Sequence, residues 1–267
     1  MTNLLYYMKR RRWRILAVVA ILFLMAMFSV RNVQGFMRMS NMLSETDIFT
    51  VTDYIIGIFS SAQFVMYFII PVSFSVLVAD LIRGDIDENI IQFVLGRNPN
   101  RSAYLKEKCK VIFALAILFT ITIFIVAFVV AFLFNISFVG ESHHYILLSS
   151  NHSAAKTFLL IVPTFILGLL FIGTMTLTIS MYTKSAGITI GVIILIGFVH
   201  NIFFVIGYNP ALAWLPFSPY IAGLYYSFVP FGLNVSYFNS VFAILYMIIG
   251  SGIFLGLSMN KLRKMEV

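Results

Sequence analysis

The chain has 267 residues, of which 61% are hydrophobic and 10% charged, whereas a soluble domain carries about a quarter charged. The apolar excess lies in long charge-free runs, which excludes a single soluble core and, for want of short alternating segments, a β-barrel. The net charge of +8 falls at the ends of those runs and between them, with no nucleic-acid-binding motif, so nucleic acid is excluded as a partner.

Residues 1–12 (MTNLLYYMKRRR) form a short basic elbow whose apolar side is Leu4, Leu5 and Met8. Arg11, Arg12 and Trp13 are its expected contacts with the membrane interface. Six spans are predicted, at about 13–30, 55–79, 111–134, 158–182, 187–208 and 238–257. Lipid offers backbone groups no hydrogen-bond partner, so the expected fold is an all-α polytopic membrane protein, a single transmembrane domain over 1–267. A cleavable signal peptide is the rival account of residues 1–30; no small-x-small cleavage site follows them, and five further spans do.

The basic residues then set the topology. Lys9, Arg10, Arg11, Arg12, Arg14, Arg83, Arg97, Arg101, Lys106, Lys108, Lys110, Lys184, Lys261, Arg263 and Lys264 fall on one side, and Arg31, Arg38 and Lys156 on the other. By the positive-inside rule both termini are expected in the cytoplasm. Some of these cations are also expected to touch anionic membrane lipid.

The loops Arg31–Asp53 and Asn135–Lys156 are expected outside, each too short for its own core. Between spans 2 and 3, residues 80–110 are the one long charged interruption. Asp85–Leu95 reads as a helix capped by Asp85 with Glu88 three residues on, and with acidic Asp87 in its first turn. Ile82, Ile86, Ile90 and Val94 form its apolar stripe. Gly96 and Pro99 stop it, and Asn98-Pro99 opens a second helix that runs through Tyr104 into span 3. Such an element is either a plain connector or a docking rod for a cytosolic partner. A tight turn, Thr183–Ser185, joins spans 4 and 5. Residues 209–237 hold Pro210, Pro216, Pro219 and Pro230 among aromatics, which suits short helices dipping back into the outer bilayer. Pro71 and Pro163 are expected to kink spans 2 and 4.

The stretch DLIRGDIDENIIQFVLGRNPNRSAYLKEK resembles the first cytoplasmic loop of ABC-2 type transporter permeases. The matching positions are Asp80, Gly84, Asp85, Ile86, Pro99, Arg101, Tyr104 and Lys108; Asp85 stands where the family often has Thr. The order of six spans, basic elbow and broken outer segment agrees along the whole chain. The resemblance implies the ABC-2 permease fold, type V exporter-like, functional as a dimer with a second permease copy or paralogue. It also implies a coupling helix that touches a separate ABC ATPase through Gly84, Asp85, Asp87, Glu88, Asn89, Gln92 and Arg97. The chain has no G-x-x-x-x-G-K-[ST] loop, so ATP and Mg are expected on that partner and this chain is expected not to be an enzyme.

No catalytic constellation lies within the spans, and no metal is expected. His143, His144 and His152 share one outer loop without a ligating set around them. Thr174, Thr178, His200 and Asn201 are the candidate translocation path; interhelical hydrogen bonds are their plainer role. Cys109 stands alone and reads as apolar filler. Without a charged residue at mid-span, the expected cargo is an amphipathic or hydrophobic peptide. Small permeases of this kind resemble Gram-positive toxin-export and self-immunity permeases, such as those for phenol-soluble modulins. Drug or lipid export is the alternative, and an intramembrane enzyme or channel-like protein without an ATPase is the competing class. The expected location is the bacterial cytoplasmic membrane.

Overall fold

The computed structural model describes residues 12–39, 48–60, 69–88, 91, 100–139, 154–206 and 240–264. They form α1 (Arg12–Met39), α2 (Val51–Ser60), α3 (Ile70–Val78), α4 (Asp80–Asp87), α5 (Arg101–Leu133), α6 (Ala154–Tyr182), α7 (Ala186–Ile206) and α8 (Ser240–Lys264). Among the described residues there is no β-strand, and an isolated parallel bridge joins Thr50 to Ser137.

Four of these helices contain stretches long and apolar enough to cross a membrane: Arg12–Arg31, Arg101–Leu133, Val162–Tyr182 and Ile244–Lys264. Their outer faces are apolar too. Leu24 and Phe28 on α1, Phe128 and Phe132 on α5, and Ile249 and Ile253 on α8 are all exposed. Each such side chain left in water forgoes about 1.5–3 kcal/mol, and a whole girdle of them is stable only in lipid. The protein is an all-helical membrane protein.

The α6 helix is the centre, packed against α3, α4, α5, α7 and α8. Two close approaches explain why. A Cβ on Gly173 would stand 2.6 Å from Ile112 Cγ2 and 3.1 Å from Phe74 Cε1. A Cβ on Gly250 would stand 2.6 Å from the Phe171 ring. Small residues let these backbones approach, which in lipid is what holds helices together. Hydroxyls add links. Ser75 Oγ lies 2.9 Å from Thr176 Oγ1, joining α3 to α6, and Thr178 Oγ1 lies 2.9 Å from Ser258 Oγ, joining α6 to α8. Such bonds are worth about 0.6 kcal/mol each on average.

Several element ends differ from the sequence reading. α1 continues to Met39, past the expected end near Val30, because no proline interrupts Arg31–Met39 and hydropathy measures the apolar window rather than the helix. Pro71 sits in the first turn of α3 as described, where its missing N–H is tolerated, and Ile69 before it already has helical dihedrals; residues 61–68, on which the expected kink of span 2 depends, lie outside the described residues. Pro163 lies inside α6. Residues 183–185 separate α6 from α7 as a short turn. The outer proline-rich segment 209–237 and His143, His144 and His152 lie outside the described residues.

At the bundle end remote from α4, two local motifs stop the helices. Thr50 and Asp53 form a capping box at the start of α2: Asp53 N–H donates to Thr50 Oγ1 at 3.2 Å, and Thr50 N–H donates to Asp53 Oδ2 at 3.1 Å. Beyond α5, Asn135 adopts φ 52°. Its N–H bonds Phe132 O, and Ile136 N–H bonds Ala131 O, the paired bonds of a Schellman motif. Val51 N–H then donates to Ser137 O at 2.9 Å, stitching the two ends together.

Candidate functional site

The polar end of the bundle is organised by α4. Ala79, just before it, has helical dihedrals and donates its N–H to Ser75 O. α4 therefore continues directly from α3, with no loop between. This corrects the expectation of a separate helix opening at Asp85. Asp85 lies inside α4, in its second turn, and does not cap a helix. The residue before the helix, Ala79, makes no side-chain cap at all. Glu88, expected in a first turn, is instead the C-terminal cap of α4, with its N–H on Gly84 O and Ile86 O. Gly84 is buried within the helix.

Three side chains of α4 reach three other elements. Asp80, 6% exposed, pairs with Arg14 in the first turn of α1. Arg83 Nη1 donates to Thr183 O at 3.1 Å, in the turn after α6, while its Nη2 pairs with Asp87 Oδ1 at 2.6 Å. Asp85 Oδ2 accepts from Tyr104 Oη at 2.8 Å and pairs with Lys108 Nζ at 2.6 Å, both on α5. Tyr104 and Lys108 are one helical turn apart, and Lys108 Nζ stands 5.2 Å from the Tyr104 ring centroid. One carboxylate thus gathers two donors along a single face of α5.

The start of α5 extends the set. Asn100 caps it, accepting from Ala103 N–H at 3.0 Å, so the helix begins two residues beyond the expected Asn98-Pro99. Arg101 Nη1 donates to Leu262 O at 2.9 Å and also to Arg263 O. Those carbonyls end α8, where intrahelical partners run out and a cation is favoured. The result is a polar clasp: α4 holds α1, α5 and the α6–α7 turn, and α5 holds α8.

Its energetics favour retention of every partner. Asp80 is nearly removed from water, so taking away Arg14 would strand a buried charge, which costs far more than the intact pair contributes. Charge-assisted hydrogen bonds such as those on Asp85 contribute about 1.5–3 kcal/mol when shielded.

The remaining expected site residues are dispersed. Arg12 and Trp13 lie exposed in the first turn of α1, with Arg12 Cζ 5.7 Å from the Trp13 ring centroid. Thr174 and Thr178 are buried in α6, bonded back to Phe171 O and Thr174 O respectively. Asn89, Gln92, Arg97 and Arg11 lie outside the described residues. His200 and Asn201 belong to α7, and their side chains lie outside what is described. Sequence reasoning gives Arg14 and Arg83 no part in the site, and places Asp80 and Arg101 only as positions of the loop resemblance, without partners. Two signals were there to use: an acid closing the apolar run 55–79, which demands a cation nearby, and the Tyr104–Lys108 spacing.

The described residues define an all-helical membrane protein with one end clasped by ion pairs. A family profile described as "Protein of unknown function (DUF2705)" matches residues 15–267, and the chain belongs to that family. No curated protein and no solved structure matches the chain.

Proposed function

We propose that this chain is the transmembrane permease subunit of an ATP-driven ABC exporter, with α4 as the element that receives force from a separate ATPase. The observation that carries the proposal is the clasp. A push on α4 is delivered at once to α1 through Arg14–Asp80, to the α6–α7 turn through Arg83, and to α5 through Asp85. A connector between two spans has no need of three such links. The sequence resemblance of 80–108 to the coupling loop of ABC-2 permeases points the same way.

In this proposal the chain crosses the bilayer six times. α2 and α3 flank residues 61–68 as parts of the second span, and α7 is the fifth. Both termini and α4 face the cytoplasm of a bacterial cell, two permeases make one pore, and ATP and Mg are held by the partner. The cargo is an amphipathic or hydrophobic peptide, since the apolar runs of spans 2 to 6 contain no charged residue.

The test is co-purification of the chain with an ATPase encoded beside it, with a photo-crosslinker at Asp87 on the exposed part of α4. Capture of the ATPase, and ATP hydrolysis that rises with added amphipathic peptide, is the expected result. A crosslinker at Asp87 that captures no ATPase, together with a neighbourhood that encodes none, overturns the proposal. An impermeant thiol label that reaches a cysteine placed at Asn100 in intact cells overturns the orientation.

A further inference from the structure

Most cations at the clasped end fall into two groups; Arg12 against the Trp13 ring, Arg101 on the α8 carbonyls and exposed Lys106 belong to neither. On the α1–α4–α5 side, Arg14, Arg83, Lys108 and Lys110 pair with Asp80, Asp87, Asp85 and Glu107. On the α6–α8 side, Lys184, Lys261, Arg263 and Lys264 have no carboxylate partner among the described residues. Four positive charges gathered at one edge of a membrane-facing surface raise the local potential there and attract anionic headgroups.

We propose that this edge binds the headgroup of an anionic phospholipid, with an acyl chain lying along α8. Tyr182, at the end of α6, is 56% exposed, and its hydroxyl reaches Leu257 O of α8 at 3.5 Å. Lys261 Nζ is held 5.3 Å from the Tyr182 ring centroid. An exposed tyrosine at a span end, with its ring against apolar surface and its hydroxyl among polar groups, marks headgroup depth. Lys264 follows Lys261 at the spacing that puts both on one side of the helix.

The same side decides for a lipid over a free phosphate. Ile249, Ile253 and Leu257 are all exposed, and each stands four residues before the next, with Lys261 completing the ladder. An apolar track therefore runs into the membrane from beneath Lys261. Beside it, added Cβ atoms at Gly252 and Gly256 would meet nothing within 4 Å, so the helix surface there is recessed. A small anion would use the lysines and leave the track uncovered. A phospholipid with net negative charge uses both.

This inference needs only the membrane placement of the protein and is independent of the transport proposal. The experiment uses the purified full chain in neutral detergent, titrated with dioleoyl-phosphatidylglycerol or dioleoyl-phosphatidylcholine and read by native mass spectrometry. The anionic lipid should bind more tightly. Each cation near an anionic lipid surface is worth about fivefold in affinity, so K261Q/K264Q should lose on the order of 25-fold. K261R/K264R should bind like wild type. So should K110Q, because Lys110 already has Glu107. If the double glutamine variant is not monodisperse, K264Q alone should lose about fivefold. Equal binding of the two lipids overturns the proposal, as does retention of affinity within twofold in K261Q/K264Q. Displacement of the lipid by millimolar inorganic phosphate would leave an anion site without a lipid and overturns it as well.

Discussion

The two ends of the bundle are closed by different physics. The end holding Thr50 and Asn135 is closed by backbone motifs: a capping box, a Schellman turn and one backbone hydrogen bond between them. Every partner in each motif lies within a few residues. The end holding α4 is closed by side-chain charge across long separations, with Asp80 reaching Arg14, Asp85 reaching Lys108, and Arg101 reaching Leu262. Backbone caps have fixed geometry and respond little to their surroundings. Ion pairs between helices can exchange partners and weaken with salt. A bundle with one end of each kind is anchored where its caps are and adjustable where its charges are.

The sharpest way to break this contrast is Asp80→Ala. It strands Arg14 at the bundle end, and because Arg14 keeps partial access to water the cost falls below that of a fully buried pair, at about 2–3 kcal/mol. At about 2–4 °C per kcal/mol for a chain of this size, thermal unfolding in detergent should drop by several degrees. Asp80→Ala/Arg14→Ala should recover part of that loss; a double variant no better than the single would mean that the two residues do not act as a pair.

Asp85→Ala comes next. It removes the acceptor of both Tyr104 and Lys108, whose bonds share one oxygen, and should cost about 1.5–3 kcal/mol. A double-mutant cycle with Lys108→Ala should return a coupling energy that shrinks at high salt. A coupling that salt leaves unchanged would place Asp85 with the caps rather than the charges.

At the other end, Thr50→Ala removes an N-cap and should cost about 1 kcal/mol. Its effect should be the same in low and high salt, which is what separates the ends. The smallest effect belongs to Glu88→Lys. Glu88 ends α4, where a cation is better placed than an anion, and that gain offsets the interaction Glu88 gives up, so unfolding should shift by no more than about 1 kcal/mol. A large drop on this substitution would restore Glu88 to a helix start.

Legibility in the sequence divides along the same line. The apolar cores of α5, α6, α7 and α8 stand out because each is a long run whose own composition dictates a helix in lipid. Local stop signals are also present in plain form. Thr50-Val51-Thr52-Asp53 carries the capping pattern, but so do Asp85 and Glu88, where acidic residues after a glycine look the same. Only the distant partners tell the two apart. Asp85 spends its carboxylate on residues 19 and 23 positions away, and α4 runs back to Asp80 because tertiary pairs outweigh the roughly 1 kcal/mol that Gly84 costs a helix. Periodicity carries no information on such remote contacts. Of the candidate site, Gly84 and Asp85 are legible in the sequence, though in an element whose start is misplaced there, and Asp80, Arg101, Tyr104 and Lys108 as loop positions without partners; Arg14 and Arg83 become visible as site residues only with the fold.

Helix α5 spans 33 residues, or about 50 Å, whereas a bilayer core is about 30 Å thick. Its excess stands on the side of Arg101–Lys110, and it works as a ruler. The length of that rigid overhang sets how far Tyr104 and Lys108, and with them the α4 they hold, stand from the lipid. The helical pitch sets which way they point. One residue more between Lys108 and Val111 would turn both donors by about 100° and leave Asp85 facing empty surface, whereas seven more would restore the direction but raise the assembly by about 10 Å. The distance between the membrane and anything that grips α4 is therefore written in the residue count of one helix.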